Sequence, residues 1–141
     1  MLPGTEKEKT APYGMSSLAL AHVGDAVYEL LVRTRLAALI RTAGKLHAAT
    51  VRLVCAPAQA RAAQAVLPEL SEQECAVFMR ARNTQLHHIP RGASGAQYAL
   101  ATALEALFGY LYLAGEYARI EAVFNTCWMV SQETGSLPGQ G

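Results

Sequence analysis

Two acidic side chains stand alone in strongly apolar segments of this 141-residue chain, and they are its clearest candidates for chemistry. Glu105 is the only charged residue between Ala99 and Ala114, and Asp25 is the only acid between Leu18 and Tyr28. A carboxylate in an apolar helix is costly unless it is protonated, paired with a base or bound to a metal. The two isolated acids therefore predict one shared site.

Helical spacing gives each acid a polar or small-residue stripe. On one helix, His22, Asp25 and Glu29 follow one another at i, i+3 and i+7 and so share a face. The stripe on the other helix consists of Tyr98, Thr102, Glu105, Gly109 and Tyr112. If the two stripes pack against each other, Asp25 and Glu105 converge.

Converging carboxylates have three explanations that stay open at this point: a shared proton, neutralisation by a base, or a bound divalent cation. Neither stripe contains an arginine or a lysine, so neutralisation within the helix is not available. Oxygen ligands without a histidine or cysteine cluster suit Mg²⁺ or Mn²⁺ better than Zn²⁺. A magnesium site with a basic rim is suited to phosphodiester hydrolysis.

The elements that position these residues are predicted to be helices throughout. Apolar periodicity, capping residues and Gly/Pro breaks place them at about 16–40, 45–55, 57–66, 71–82, 96–113 and 117–130, with Ser71 and Glu74 as a capping box and Gly115 as a helix stop. The one long irregular segment is 83–95. No strand pattern is evident, so we predict an all-α fold in a single domain at 16–130, after a polar lead-in (1–15) and before a flexible tail (131–141).

Composition limits the class of protein. Hydrophobic residues make up 52% of the chain and charged residues 16%, which is too apolar for a disordered protein. The longest apolar run is too short to cross a membrane, and the N-terminal segment lacks a signal-peptide core, so we expect a cytoplasmic protein with no membrane partner. The three cysteines fit no metal-ligand spacing and are expected to be ordinary reduced thiols.

Charge is distributed unevenly although the net charge is only +1. The intervals 30–68 and 75–104 contain no acid, and their bases are Arg33, Arg35, Arg41, Lys45, Arg52, Arg61, Arg80, Arg82 and Arg91, with His47, His87 and His88. Such a basic field favours a polyanionic partner, while solvated helix faces are the structural alternative.

Two motifs carry a family resemblance. The segment Val23-Gly24-Asp25-Ala26-Val27-Tyr28-Glu29 resembles the signature motif of ribonuclease III, and residues 102–113 resemble its second acidic motif, a helix with Glu-Ala-Leu-Ile-Gly. The short chain, with Lys45-Leu46-His47 and Arg80-Ala81-Arg82-Asn83 at the expected places, resembles the Mini-ribonuclease III branch over about 16–130.

The resemblance implies an all-α endonuclease that acts as a homodimer on double-stranded RNA with Mg²⁺, for which Mn²⁺ could substitute, and that matures the ends of precursor 23S ribosomal RNA. It implies that Asp25 and Glu105 are the catalytic and metal-binding residues. It further implies that RNA is contacted by Lys45, His47, Arg80, Arg82, Asn83 and Arg91. A chain without an appended double-stranded-RNA-binding domain would recognise A-form shape from the nuclease dimer itself, with a ribosomal protein as a possible accessory partner.

This sequence also departs from the larger ribonuclease III pattern. Ala21 and Leu18 occupy positions where larger relatives carry acids, Thr102 replaces an aspartate, and Ala99 replaces an arginine frequent in the Mini branch. We therefore expect two acidic ligands per subunit and weak Mg²⁺ binding until RNA phosphates complete the site. The alternatives are a catalytically silent RNA-binding or assembly module with the same fold, and a helical nucleotide phosphohydrolase.

Overall fold

Helices account for all regular structure in the described part of the chain. The computed structural model describes residues 11–84 and 91–133. The helices are α1 (Ser17–Ala37), α2 (Ala43–Val54), α3 (Ala56–Val66), α4 (Glu72–Arg82), α5 (Gly95–Leu113) and α6 (Tyr117–Glu133), with short 3-10 turns at Ala11–Gly14 and Leu67–Glu69. The prediction of an all-α fold is confirmed.

Side-chain caps fix where α1 and α4 begin. The Ser16 hydroxyl accepts a hydrogen bond from the Ala19 N–H at 3.1 Å, which satisfies one of the free donors of the first turn. At α4 the predicted capping box is present, because Ser71 and Glu74 each accept from the other's backbone N–H.

The ends of α5 are equally well defined. A second capping box, between Ser94 and Gln97, starts this helix at Gly95; the sequence pattern had not predicted it. Gly115 stops the helix as predicted, with a φ of 76° that a side chain would disfavour. The capping residues thus determine the exact length of the helix that carries Glu105.

The helix α5 is the centre of the fold. Helices α1, α3 and α4 pack along it, and α6 packs mainly on α3. Leu104, Leu107 and Leu111 on α5 are fully buried. An edge-to-face cluster of Tyr28 with Phe108 and Phe124, at ring-centroid distances of 5.2 and 5.5 Å, joins α1, α5 and α6.

Observed boundaries differ from the predicted ones by a few residues. Helix α1 ends at Ala37 rather than near Ile40, α2 already includes Gly44, and α6 continues to Glu133, into the segment predicted as tail. The predicted lead-in before residue 11, the histidines His87 and His88, and the tail after Glu133 lie outside the described residues.

Two further sequence predictions concern the membrane and the cysteines. None of the helices described is both long and apolar enough to span a bilayer. Cys55, Cys75 and Cys127 are free thiols. Burial raises the pKa of Cys127 to about 12, so this thiol is chemically quiet at neutral pH.

Candidate active site

Helices α1 and α5 touch backbone to backbone where two glycines meet the opposite helix. A Cβ atom on Gly24 would lie 1.5 Å from the Glu105 carbonyl oxygen, and one on Gly109 would lie 1.9 Å from the Leu20 carbonyl oxygen. Both distances are far too short for any side chain, so only glycine permits this approach. Because Asp25 follows Gly24 in sequence, the close crossing carries Asp25 to Glu105.

The two acids predicted to converge do so in the structure. Their carboxyl groups are within hydrogen-bonding reach, with Asp25 exposed and Glu105 half-buried. Burial raises the pKa of Glu105 to about 8, and the negative charge of Asp25 and the hydrogen bond to it add to the effect. Without a cation, Glu105 therefore keeps its proton at neutral pH beside the Asp25 carboxylate.

A third polar side chain, Gln59 of α3, lies beside Glu105. It is only 2% exposed, and its amide lies close enough to Glu105 to lower the pKa of that carboxyl against the effect of burial. Nevertheless, the Gln59 Nε2 atom has no partner in hydrogen-bonding geometry among the described residues. The site therefore contains a buried, unsatisfied donor beside its half-buried acid.

Glu105 opens into a cleft of about 470 Å³ between the α2–α3 junction and the start of α5, which we call the glutamate cleft. Arg91 and Tyr98 line this cleft together with Gln59 and Cys55. Arg91 is exposed, so its guanidinium is available to an anion entering beside Glu105. The structure thus brings together two of the predicted site residues, Glu105 and Arg91.

Asp25 faces a separate groove of about 470 Å³ on the outer side of α1, the aspartate groove. Its lining residues are His22, Asp25, Ala26, Glu29, Leu30 and Arg33. Glu29 forms an ion pair with Arg33 at 2.6 Å, so the repulsion expected between Asp25 and Glu29 is relieved by a base one turn further on.

Arg33 also reaches the next groove, which holds His47 of α2. This groove, of about 270 Å³, is lined by Arg33, Ala37, Ala43, Leu46, His47 and Thr50. Lys45 is exposed on the same helix. Arg33 lines both grooves, so it lies between Asp25 and the predicted substrate residues of α2.

The predicted residues of α4 are placed differently. The two terminal nitrogens of Arg80 donate to the carbonyl oxygens of Tyr13 and Met15 at 3.1 Å each, and its guanidinium lies over the Tyr13 ring. An RNA contact by Arg80 stays a prediction and would compete with this tether of the N-terminal segment. Arg82 and Asn83 are exposed at the end of α4 and line none of the three clefts described above.

The carboxylates of Asp25 and Glu105 suit a divalent cation whose remaining ligands are water and substrate phosphates. Within the ranges 11–84 and 91–133, no group of three or more histidine, cysteine or acidic side chains converges. Asp25 and Glu105 supply only carboxylate oxygens, and Mg²⁺ is commonly held by one or two carboxylates, with water and substrate phosphates completing its octahedron. Gln59 offers a donor N–H and so can hold a carboxylate, but its nitrogen is no ligand for such an ion.

Gln59 is the residue that reasoning from sequence missed, although a signal was present. The buried face of α3 consists of Gln59, Ala60, Ala62, Ala63 and Val66. A single amide on an otherwise apolar helical face is the same kind of anomaly as Glu105 on α5. Only the packing of α3 against α5 shows that the two anomalies meet.

Comparisons with known proteins find relatives over most of the chain. The model of the family described as "Ribonuclease III domain" matches residues 18–116. The chain is 39% identical to the Mini-ribonuclease 3 of Thermoanaerobacter sp. (strain X514), covering 89% of each, and 44% identical to that of Symbiobacterium thermophilum, covering 79% of this chain and 87% of the relative. The crystal structure of a Fusobacterium nucleatum protein superposes with a TM-score of 0.74 at 30% identity, covering 78% of this chain and 90% of that one.

Proposed function

Because this chain belongs to the ribonuclease III family and to its Mini-ribonuclease 3 branch, we propose that Asp25 and Glu105 form the magnesium-binding active site of the enzyme. The chain is an endoribonuclease of the ribonuclease III type, a class that cleaves double-stranded RNA. The observation that carries the proposal is the meeting of the two carboxyl groups at the Gly24–Gly109 crossing, between two open clefts.

Asp25, Glu105 and Arg91 have different roles in the proposed phosphodiester hydrolysis. Asp25 and Glu105 would hold Mg²⁺, or Mn²⁺ in its place, through their carboxylate oxygens, and the ion would activate water and stabilise charge on the phosphate and the leaving oxygen. Glu105 would act as a ligand in its ionised form, and Asp25 is exposed at the aspartate groove, where an RNA strand can approach it. Arg91 attracts a phosphate into the glutamate cleft beside them.

Further contacts with the RNA backbone come from the exposed basic and polar residues on either side of this centre. We assign them to Lys45 and His47 on α2, to Arg82 and Asn83 at the end of α4, and to Arg91, while Arg80 contributes by holding the N-terminal segment or by an RNA contact that replaces it. Such contacts read phosphates, 2′-hydroxyls and A-form shape and carry little sequence information.

A homodimer is part of the proposal. The side chains of Leu18 and Leu30 are 52% and 65% exposed on α1, the helix that carries Asp25. Large exposed aliphatic residues on one helix favour burial against a partner, and a second copy of the same helix would place two active sites near each other on one duplex. Sedimentation velocity would show a species of twice the chain mass, reduced to one chain mass by Leu30→Glu.

The proposed biological substrate is double-stranded stem RNA in the precursor of 23S ribosomal RNA, cut in the cytoplasm. The proposal includes a ribosomal protein as an accessory that presents the stem to the enzyme. Incubation of the enzyme with precursor RNA, with and without assembled ribosomal proteins, followed by mapping of the new 5′ ends, tests this part of the proposal.

The active site is tested by cleavage of end-labelled double-stranded RNA in Mg²⁺. We expect Asp25→Asn and Glu105→Gln each to lower kcat by at least about 10³-fold while RNA binding, measured by filter retention, is preserved. Glu121→Gln is the matched control, because Glu121 is an exposed acid on α6 away from the site. It should leave cleavage unchanged.

Three results would contradict the proposal. Full activity in either active-site variant would remove these carboxylates from the chemistry. RNA binding without cleavage by the wild-type chain would support a silent binding module. Hydrolysis of free nucleotides with no cleavage of double-stranded RNA would support a phosphohydrolase.

A further inference from the structure

The side-chain amide of Gln59 has no structural reason to be where it is. It is 2% exposed on the face of α3 that otherwise buries alanines and Val66, and its Nε2 lacks an acceptor in the described parts of the fold. A buried donor without a partner destabilises a protein, and an apolar side chain of the same size would avoid that cost. The position therefore calls for a functional explanation.

The neighbourhood of the amide supplies one. Gln59 and Glu105, from helices α3 and α5, line the same glutamate cleft, so the buried amide and the carboxyl group lie on one wall of it. The Glu105 carboxyl group is therefore a nearby acceptor for the free N–H of Gln59, although the two groups do not form a hydrogen bond in the structure. A carboxylate that moves slightly toward α3 would complete it.

We propose that Gln59 is a positioning residue, whose side-chain amide donates to the Glu105 carboxylate and holds it in place for the divalent cation. At 2% exposure the amide cannot touch an RNA phosphate, so it acts only through Glu105. The role corresponds to the hydrogen-bonded neighbours that orient carboxylate ligands in other metal sites. This inference rests on the proposed function, because it requires Glu105 to be a metal ligand.

Gln59→Met is the decisive variant, since methionine keeps the length and flexibility of the side chain but cannot donate. We expect the Mg²⁺ concentration for half-maximal cleavage to rise by about 10-fold or more, while kcat at saturating Mg²⁺ stays within about 3-fold. A readout without catalysis is the binding of Mn²⁺ alone, followed by the EPR signal of the free ion. The affinity for Mn²⁺ should fall by a similar factor, so more of the free-ion signal should remain at a given protein concentration.

The matched control is Gln64→Met, the same substitution at an exposed position of the same helix, which should change none of these quantities. The melting midpoint of metal-free Gln59→Met should equal or exceed that of the wild type, because the variant removes an unsatisfied donor. A lower midpoint would show that Gln59 is structural and would overturn the inference.

The experiment separates this inference from the proposed function. If wild-type cleavage needs Mg²⁺ and Glu105→Gln abolishes it, but Gln59→Met behaves like the wild type toward Mg²⁺ and Mn²⁺, the role of Gln59 alone is refuted. If Glu105→Gln cleaves normally, the proposed active site fails and the inference fails with it.

Discussion

Gly24 and Gly109 lie at the point where helices α1 and α5 come closest. A Cβ atom on Gly24 would lie 2.8 Å from the backbone nitrogen of Gly109, and one on Gly109 would lie 3.0 Å from the nitrogen of Gly24. A side chain on either glycine would therefore overlap the backbone of the opposite helix. The distance between Asp25 and Glu105 is set by this contact, since both acids lie within one turn of it.

We predict that Gly24→Ala and Gly109→Ala each destabilise the fold by at least about 3 kcal/mol, because the new methyl group would overlap backbone atoms that cannot move aside. Urea unfolding followed by circular dichroism measures the effect. Gly44→Ala is the control. Nothing lies within 4 Å of its Cβ position in α2, so the free energy of unfolding should increase, by no more than about 1 kcal/mol. Equal behaviour of the three variants would refute a steric role for the crossing.

We predict that the metal-free protein loses stability between about pH 5 and pH 8. The pKa of Glu105 is raised from its ordinary value of 4.5 to about 8 in the folded state, so the folded chain binds the proton more tightly than the unfolded chain. The resulting stabilisation is complete below pH 4.5 and is lost as the pH rises through about 8. We expect a loss of about 2–4 kcal/mol, measured by urea unfolding in EDTA.

Glu105→Gln provides the comparison for this pH profile. It carries no titrating group at the site, so its stability should change less over the same range and exceed that of the wild type at pH 8. Saturating Mg²⁺ should raise wild-type stability most at high pH, where the carboxylate is ionised, and should leave the variant nearly unaffected. Parallel profiles of the two proteins would contradict the pKa shift.

We predict that Arg91→Gln weakens RNA binding and lowers its dependence on salt, because Arg91 lines the cleft that contains Glu105. One lost phosphate contact should reduce the slope of log K against log[salt] by about 1. Fluorescence anisotropy with labelled double-stranded RNA in the non-cleaving Glu105→Gln background gives this slope. Arg61→Gln, an exposed base that lines a different pocket, should leave the slope unchanged.

We predict that Arg119→Met lowers stability by about 2–4 kcal/mol, because it leaves Glu74 buried without its cation. Arg119 donates to both carboxylate oxygens of Glu74, at 2.8 and 2.9 Å. Burial raises the pKa of Glu74, but the hydrogen bonds and charge of Arg119 and the Ser71 N–H outweigh it, so the pKa is lowered overall. The stability from this group is therefore present above pH 4.5 and lost as the pH falls through the folded pKa.

A second ion pair serves as the control for the Arg119 prediction. Arg33→Met breaks the pair with Glu29, but there the two side chains are 62% and 35% exposed, so the cost should stay below about 1 kcal/mol. Thermal unfolding of both variants at pH 4, 5 and 7 tests the contrast. A larger loss in Arg33→Met than in Arg119→Met would contradict the role assigned to burial.

Much of the fold follows from local signals in the sequence. The Ser71–Glu74 capping box, the helix stop at Gly115 and the apolar periodicity predicted the helices to within a few residues, because caps and periodicity act over one or two turns. The box between Ser94 and Gln97 is equally local and was readable in principle. Helix ends outside such motifs, as in α1 and α6, depend on packing against neighbours and were predicted less accurately.

The sequence by itself also determined which residues could do chemistry: Asp25 and Glu105 are acids in segments that would otherwise be apolar, and the family motifs surround them. Only the tertiary structure decided how close they are, because that distance depends on two glycines 85 positions apart meeting at one crossing. It also decided that Arg80 donates hydrogen bonds to the N-terminal segment and that Gln59 of a third helix lies beside Glu105. Residue types are local properties, whereas the free energy of a carboxyl group depends on every helix packed around it.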